Sequence, residues 1–379
     1  MPEPVLVIVK YCDPSTGGEG VAYRFCRYMQ SRGVPFQLVC GRNKEPHGPL
    51  AEHVVELGML RPTRLLKYAS FFRRAERYIA CTRGVPFSFE YVRGAAIVRQ
   101  TGVHATFLRR SLEGLPEKEK RRKMRSRWWN LYNRYVPAQE RRVLDSAELQ
   151  RILVPSGMTR DEVCQSYPQH CHKVTVIHNG VDTERFHPAD EAARVAARER
   201  YWPGAGARRI VGFAGNIFMR KGLAHCIGSL RGLPEDVVLL VAGGDNAAPY
   251  RQQAAALGVE HRVRFAGAVA DMPQFFHALD AFCLPTRYDP FGLVIAEAVA
   301  AGVPVVTSHL AGSAEIVQDG VTGAVCRSLD DSAVAQAVDK ALRLDRSGIA
   351  ASAPDERDMF ARYLALADDV RAARRPVRP

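Results

Sequence analysis

Short runs of apolar, β-branched residues recur along the chain, and a helical stretch separates each run from the next. PVLVIVKYC (4–12), PFQLVC (35–40), VVEL (54–57), RILVPS (151–156) and KVTVIHNGVD (173–182) carry this pattern in the first half. RIVGFAGN (209–216), DVVLLVAGG (236–244), RVRFAGAV (262–269), AFCLPT (281–286) and PVVTS (304–308) carry it in the second. Runs this short and this apolar are buried on both faces, which is the property of parallel strands covered by helices. Alternation of strand and helix then predicts an α/β protein built on doubly wound parallel sheets. A polar stretch from Thr183 to Arg209, with the turn WPGAGA, interrupts the pattern before it restarts. That break predicts one wound domain over 1–183 and a second over 184–354. The stretch after Pro354 reads as one long helix, 355–379, with no sheet of its own, free to cross back to the first domain.

At 379 residues and 47% hydrophobic content the chain has enough apolar mass for two such cores, and its composition excludes fibrous or wholly disordered designs. The longest apolar run, Leu293 to Val306, is 14 residues and contains Glu297, too short to span a bilayer. The first residues, MPEPVLVIVKYC, lack a charged region ahead of an apolar one, so a signal peptide is not expected and a cytoplasmic protein is. Nine scattered cysteines with no CxxC pair predict reduced thiols and no disulfide framework. Cys164, His170, Cys171 and His172 match no standard zinc spacing, and ordinary loop and core roles are the expectation for them.

The net charge of +13 is unevenly placed. Residues 1–183 hold 30 Lys/Arg against 17 Asp/Glu, whereas 184–379 hold 23 of each. The segment 109–142 alone has 12 basic and 4 acidic residues. Within it Met124, Trp128, Leu131 and Tyr135 recur at helical spacing, with Trp129, Tyr132 and Val136 widening the face and Lys118, Lys120, Arg121, Arg122, Lys123, Arg125 and Arg127 crowding its start. A basic helix with aromatic residues suits an anionic membrane surface, and the competing reading is a solvated helix packed on its own domain. No nucleic-acid module accompanies the patch, so nucleic acid is not an expected partner.

In doubly wound sheets ligands bind outside the carboxyl ends of the strands. Four segments there carry candidate chemistry. In PTRYDPFGLVIAEAVAAGVPVV, Asp289 stands in a loop, and Phe291, Gly292 and Leu293 open a helix whose first N–H groups suit a phosphate. Glu297, the only charge between Asp289 and Val306, needs a partner in so apolar a helix. A ribose diol would supply two donors to its carboxylate, and an Arg salt bridge is the alternative. In GFAGNIFMRKG, Gly215 ends a strand, and Arg220 and Lys221 offer a fork and a point charge to a diphosphate. No Asp-x-Asp occurs, so no metal is expected to bridge the phosphates. Gly17 and Gly18 follow the first strand, where glycine permits close backbone approach. His104, in VRQTGVH, is a side chain poised for proton transfer near neutrality, or else a hydrogen-bonded structural residue.

These motifs resemble the group 1 family of retaining, nucleotide-sugar-dependent glycosyltransferases, whose GT-B fold has two facing Rossmann-like domains. The family's Glu-x7-Glu is seen here as Asp289-x7-Glu297. Gly215, Arg220-Lys221-Gly222, Val241-Ala242-Gly243-Gly244, Phe265-Ala266-Gly267, Gly312-Ser313-Ala314-Glu315 and the hinge-like VIHNGVDTERF accompany it. The KYxxxxxGG opening, RQTGVHATFLR and the basic aromatic segment are similar to the subgroup that adds a hexose to the lipopolysaccharide inner core. The resemblance implies that Glu297 holds the donor ribose and Asp289 the sugar hydroxyls, with a shorter side chain than the usual Glu. It implies that Arg220 and Lys221 neutralise the leaving diphosphate, that Phe291, Gly292 and Leu293 present N–H groups to the donor, and that backbone near Gly267 and Val269 meets the base. Gly17 and Gly18 would face the phosphates and acceptor, and His104 the transferred sugar, in a cleft between the domains. It implies a UDP-sugar donor ahead of GDP or ADP, a lipid-linked glycan acceptor, no cofactor or metal, and a peripheral place on the inner face of the cytoplasmic membrane through 109–142. Other functions are the alternatives: a nucleotide-sugar epimerase or phosphorylase-type enzyme of the same fold, a glycosyltransferase for another cell-surface glycan using GDP-mannose, and a non-catalytic nucleic-acid- or membrane-binding protein.

Overall fold

A computed structural model describes residues 3–15, 17–60, 62–113 and 117–374, with the side chains of Glu119, Arg127, Trp128, Trp129 and Arg374 outside the description. The chain forms two compact units, one of 1–177 with 357–379, the other of 178–356. The division thus falls at Ile177/His178, a few residues ahead of the polar stretch that marks it in the sequence.

The first unit has strands β1 (Val5–Cys12), β2 (Phe36–Asn43), β3 (Val54–Glu56), β4 (Val85–Ser88), β5 (Ile97–Arg99), β6 (Arg151–Val154) and β7 (Val174–Val176). Helices α1 (Gly17–Ser31), α2 (Arg64–Cys81), α3 (His104–Glu113), α4 (Glu117–Arg125), α5 (Arg127–Leu144) and α6 (Gly157–Ser166) connect them. The strands form one parallel sheet in the order β3-β2-β1-β4-β5-β6-β7. Val5 to Val9 are fully buried, as the apolar run requires of a central strand with helices on both faces.

The second unit contains α7 (Glu191–Tyr201), β8 (Arg209–Ala214), α8 (Phe218–Lys221), α9 (Leu223–Ser229), β9 (Val237–Ala242), α10 (Ala248–Ala256) and β10 (Val263–Gly267). It continues with α11 (Met272–His277), β11 (Ala281–Leu284), α12 (Leu293–Ala300), β12 (Val305–Ser308), β13 (Gly323–Cys326) and α13 (Asp331–Leu342). Its sheet order is β10-β9-β8-β11-β12-β13, all parallel. In each unit the winding reverses beside the first strand, between β1 and β4 and between β8 and β11. A crevice opens at such a reversal because consecutive connections leave in opposite directions.

The long C-terminal helix, α14 (Glu356–Arg374), groups with the first unit from Arg357 onward. Phe360 stacks on Phe25 at 5.7 Å, and the Tyr363 hydroxyl accepts from Arg99 Nε at 3.0 Å. The sheet face above α1 is thereby closed by the far end of the chain.

Two expectations need correction. Cys164 and Cys171 form a disulfide, where reduced thiols were expected throughout. The last turn of α6 and the turn at 168–173 double back and bring the two Cα atoms to 4.8 Å, a proximity that scattered cysteines in a sequence do not reveal. Joined in this way, neither sulfur is a thiolate for a metal. The basic aromatic segment is not one helix but two, α4 and α5, separated at Ser126. Met124 and Leu131 are exposed, whereas Tyr132 and Val136 pack inward on their own unit.

Candidate functional site

The carboxyl end of β8 and β11 brings most of the expected donor residues together within the second unit. β8 ends at Ala214, and Gly215 donates from its N–H to Ala242 O at 3.1 Å. Gly243 donates in turn to Gly267 O at 2.7 Å. Three strand ends are thus knitted side by side with no side chains between them. A Cβ on Gly243, whose φ is 145°, would lie 1.9 Å from Gly215 O, so only glycine permits the approach. Gly267 is exposed, and Val269 packs against the unit's core.

The chain then turns into α8, whose first N–H, from Phe218, is capped by Asp245 at 2.9 Å. Gly222 ends that helix at φ 85°, so close against Pro285 after β11 that a Cβ would lie 2.1 Å from Pro285 O. This contact seats Arg220 and Lys221 against the loop 285–290. Arg287 N and Thr286 Oγ1 both donate to Arg220 O, at 2.8 and 3.0 Å. Arg220 Nη1 donates to Tyr288 O at 2.8 Å, and its Nε is buried with no hydrogen-bond partner.

Lys221 Nζ forms an ion pair with Asp289 Oδ2. Asp289 is only 8% exposed, its Oδ1 accepts from Phe291 N at 3.3 Å, and its backbone bridges to Ala311. The carboxylate expected to face a sugar and the ammonium expected to face a diphosphate therefore face each other. Phe291 is buried, and its carbonyl accepts from Ser313 N at 2.7 Å. Gly292 precedes α12 with φ 84°; a Cβ there would sit 3.2 Å from Ser313 Oγ and 3.5 Å from Asp289 Oδ2. Ser313 Oγ is buried without a hydrogen-bond partner. Leu293 starts α12, and Glu297, half-buried, lies one turn on.

The remaining candidates lie at the corresponding end of the first unit. Gly17 and Gly18 begin α1 with nothing within 4 Å of where a Cβ would be, so open space adjoins them. Thr16 lies outside the described residues. Lys10, near the end of β1, donates to Tyr68 OH at 2.8 Å and lies 3.6 and 3.7 Å from Glu19 and Glu90. Burial works to lower the Lys10 pKa, but Glu90, Tyr68 and Glu19 outweigh it and hold it raised. Arg64 stacks on the Tyr132 ring at 4.3 Å, and that ring meets His104 edge-on at 5.8 Å. His104 opens α3, half-buried, with Nε2 3.0 Å from Asn133 Oδ1. Burial lowers its pKa from the ordinary imidazole value, the Asn133 bond opposes this, and the Arg64 charge adds to the lowering.

Several participants carried no recognisable signal. Asp245, Arg64 and Asn133 enter through folding alone. His178, at the start of the second unit, pairs with Glu315 at 2.9 Å and stands 6.1 Å from the Phe291 ring. Its place in VIHNGVD was the one available hint.

Two parallel sheets of this strand order, one with paired cations and a glycine-capped helix at its switch point, define the GT-B class of α/β protein. Residues 202–360 match the model of glycosyl transferases group 1, and residues 15–185 match glycosyltransferase family 4. The two matches together take in most of the chain, which is similar to the group 1 glycosyltransferases and shares their GT-B fold. The whole chain is similar in fold to WaaG, described as a glycosyltransferase involved in lipopolysaccharide biosynthesis, with TM-score 0.76 and 19% identity over 97% of this chain and 99% of that one. Anabaena HepE, in complex with UDP and glucose, gives TM-score 0.73 at 17% identity over 97% and 100%. A D-inositol 3-phosphate glycosyltransferase of Mycobacterium sp. (strain JLS) is 34% identical over 212 residues, 54% of this chain and 46% of the relative. A GDP-mannose-dependent phosphatidylinositol monomannoside mannosyltransferase of Mycolicibacterium smegmatis is 38% identical over 172 residues, 42% and 44%. The matched stretch spans about half the length of these curated relatives.

Proposed function

We propose that the chain is a retaining hexosyltransferase that moves a sugar from a nucleotide-sugar, a UDP-sugar first, to a lipid-linked saccharide, with lipopolysaccharide core as the first acceptor. The observation that carries this reading is the packing of Arg220 and Lys221 against the 285–290 loop, one strand from Gly292 and the start of α12. A diphosphate placed there takes Lys221 away from Asp289. The released carboxylate then accepts from sugar hydroxyls, so cation and anion each trade one partner for another. Glu297 holds the ribose diol, and backbone near Gly267 and Val269 meets the base. The HepE likeness supports the choice of UDP and the WaaG likeness a part in lipopolysaccharide biosynthesis; the mannosyltransferase likeness keeps GDP-mannose as the second donor to test.

In the transfer, the acceptor oxygen bonds to the anomeric carbon on the face from which the diphosphate departs. The carbon–oxygen bond to phosphate breaks, and the acceptor proton passes to the leaving phosphate oxygen. Charge grows on that leaving group, so fixed cations and helix N-termini lower the barrier without a metal. His104 is the side chain of the first unit proposed to act on the transferred sugar. The basic segment 109–142, with exposed Met124 and Leu131, rests on the anionic inner face of the cytoplasmic membrane. Among the described residues no helix is long and apolar enough to cross a membrane.

Incubation with UDP-glucose and a hexose-free heptosylated core lipid tests the reading. An α-linked product, formed without added metal and lost in Glu297→Ala, is expected. Conversion of the donor to its epimer without any acceptor would overturn it in favour of an epimerase.

A further inference from the structure

Glu140 has no place in the functional reading above, yet it is one of the few charged side chains in the molecule with no exposed surface. It lies on α5 and points at the start of α3. Its Oε2 accepts from the backbone N–H of His104 at 3.1 Å, and its Oε1 accepts from Gln100 Nε2 at 2.7 Å. The first N–H groups of a helix have no partner inside the helix. Here a carboxylate from a neighbouring helix supplies one, in the manner of a cap. Asn133 lies seven residues earlier, two turns back on the same face of α5. Its Oδ1 meets His104 Nε2 at 3.0 Å. An amide oxygen only accepts, so Nε2 carries a proton, and in the neutral imidazole that burial favours, Nδ1 keeps its lone pair.

We propose that Asn133 and Glu140 are positioning residues: one face of α5 grips His104 at its backbone and at its ring, fixing both the place of the imidazole and the tautomer with an unprotonated Nδ1. Fastening at two points leaves the ring little freedom, because rotation about its side-chain bonds would break the Asn133 bond while the backbone stays anchored. The Tyr132 ring, also on α5, closes the remaining side at 5.8 Å. The grip itself follows from these contacts; its bearing on hexosyl transfer rests on the proposed function.

Gln100 supplies a discriminating variant. Its Oε1 is buried without a hydrogen-bond partner. In Glu140→Gln, the new amide keeps an oxygen for the His104 N–H and turns its NH2 toward Gln100. Rotation of the Gln100 amide then offers that orphan oxygen as acceptor. Glu140→Gln therefore preserves the grip, whereas Glu140→Leu leaves the His104 N–H buried and unsatisfied.

The test is imidazole nitrogen NMR on the full chain, with His104→Gln identifying the His104 signals among the 11 histidines. Wild type and Glu140→Gln are expected to show one His104 tautomer, protonated at Nε2. Asn133→Ala and Glu140→Leu are expected to show a mixture, with UDP release from UDP-glucose lowered about 10²-fold in kcat at unchanged KM, as a small displacement of a reacting group produces. A single, unshifted His104 tautomer in Asn133→Ala and Glu140→Leu overturns the proposal. If Glu140→Leu does not fold, Asn133→Ala against Glu140→Gln makes the same comparison. Should wild type release no UDP at all, that result counts against the proposed function, and the NMR comparison decides the grip by itself.

Discussion

The two units wind their sheets alike yet furnish their ligand ends in different ways. At the β8/β11 end most polar partners come from two short segments, 215–222 and 285–292, joined by Asp245 and Ser313, and close backbone approaches at Gly222 and Gly243 seat them. At the β1/β4 end Lys10, Arg64, Glu90, Gln100 and His104 arrive from separate elements, meet Tyr132, Asn133 and Glu140 of α5, and are held by side chains. A site built from backbone and helix ends suits a ligand part that never changes, such as a diphosphate. A site built from side chains can be reshaped one residue at a time, which suits an acceptor that differs between relatives sharing the fold.

The sharpest way to break this contrast is to remove the charge pair of the second unit. Lys221→Ala should lower turnover of UDP-glucose by about 10²–10³-fold, the usual effect of losing one stabiliser of transition-state charge. The same variant strands the nearly buried Asp289 carboxylate, at a cost of about 3–5 kcal/mol in urea unfolding. The pair Lys221→Met with Asp289→Leu should recover most of that stability and none of the turnover.

Backbone dependence is the next difference to probe. Gly243→Ala and Gly222→Ala force a Cβ to within 1.9 Å of Gly215 O and 2.1 Å of Pro285 O, and should each destabilise by more than about 1 kcal/mol. Gly17→Ala and Gly18→Ala, in open space, should leave the unfolding midpoint within about 0.5 kcal/mol of wild type. Equal losses at all four would erase the contrast.

A pH effect approaching neutrality is expected in the first unit. Burial raises the Glu140 pKa to about 7, against the His104 and Gln100 hydrogen bonds that lower it; Tyr91 and Tyr167 face the same carboxylate. A carboxyl that binds its proton more tightly folded than unfolded adds stability at low pH and loses it as pH rises toward 7. Stability measured by urea titration should therefore fall between about pH 4.5 and 7 by an amount that Glu140→Gln removes.

The smallest effect on folding is expected from the basic segment. Charge reversal at Lys118, Arg121, Arg122 and Arg125 should abolish salt-sensitive binding to anionic vesicles while shifting stability by less than about 0.5 kcal/mol, since Lys118, Arg121, Arg122 and Arg125 are exposed.

The same contrast explains what could be read from the residues beforehand. The GT-B fold and the run from Pro285 to Val306 were legible, because alternating apolar runs and a glycine before an apolar helix are local signals. The ion pair of Lys221 with Asp289 was not, since it joins positions 68 residues apart. Asn133 and Glu140 sit in a stretch whose basic and aromatic residues dominate its pattern, and nothing local marks two polar side chains that act on His104 from another helix. Cys164 and Cys171 were hidden for the same reason: a tight reversal after α6, not a spacing rule, joins them.

Calorimetric titration with UDP, GDP and ADP tests the central claim most directly. At least one nucleotide should saturate a single site on the wild-type chain, and Arg220→Ala with Lys221→Ala should abolish that binding. Saturable binding of equal strength after both cations are removed would contradict it.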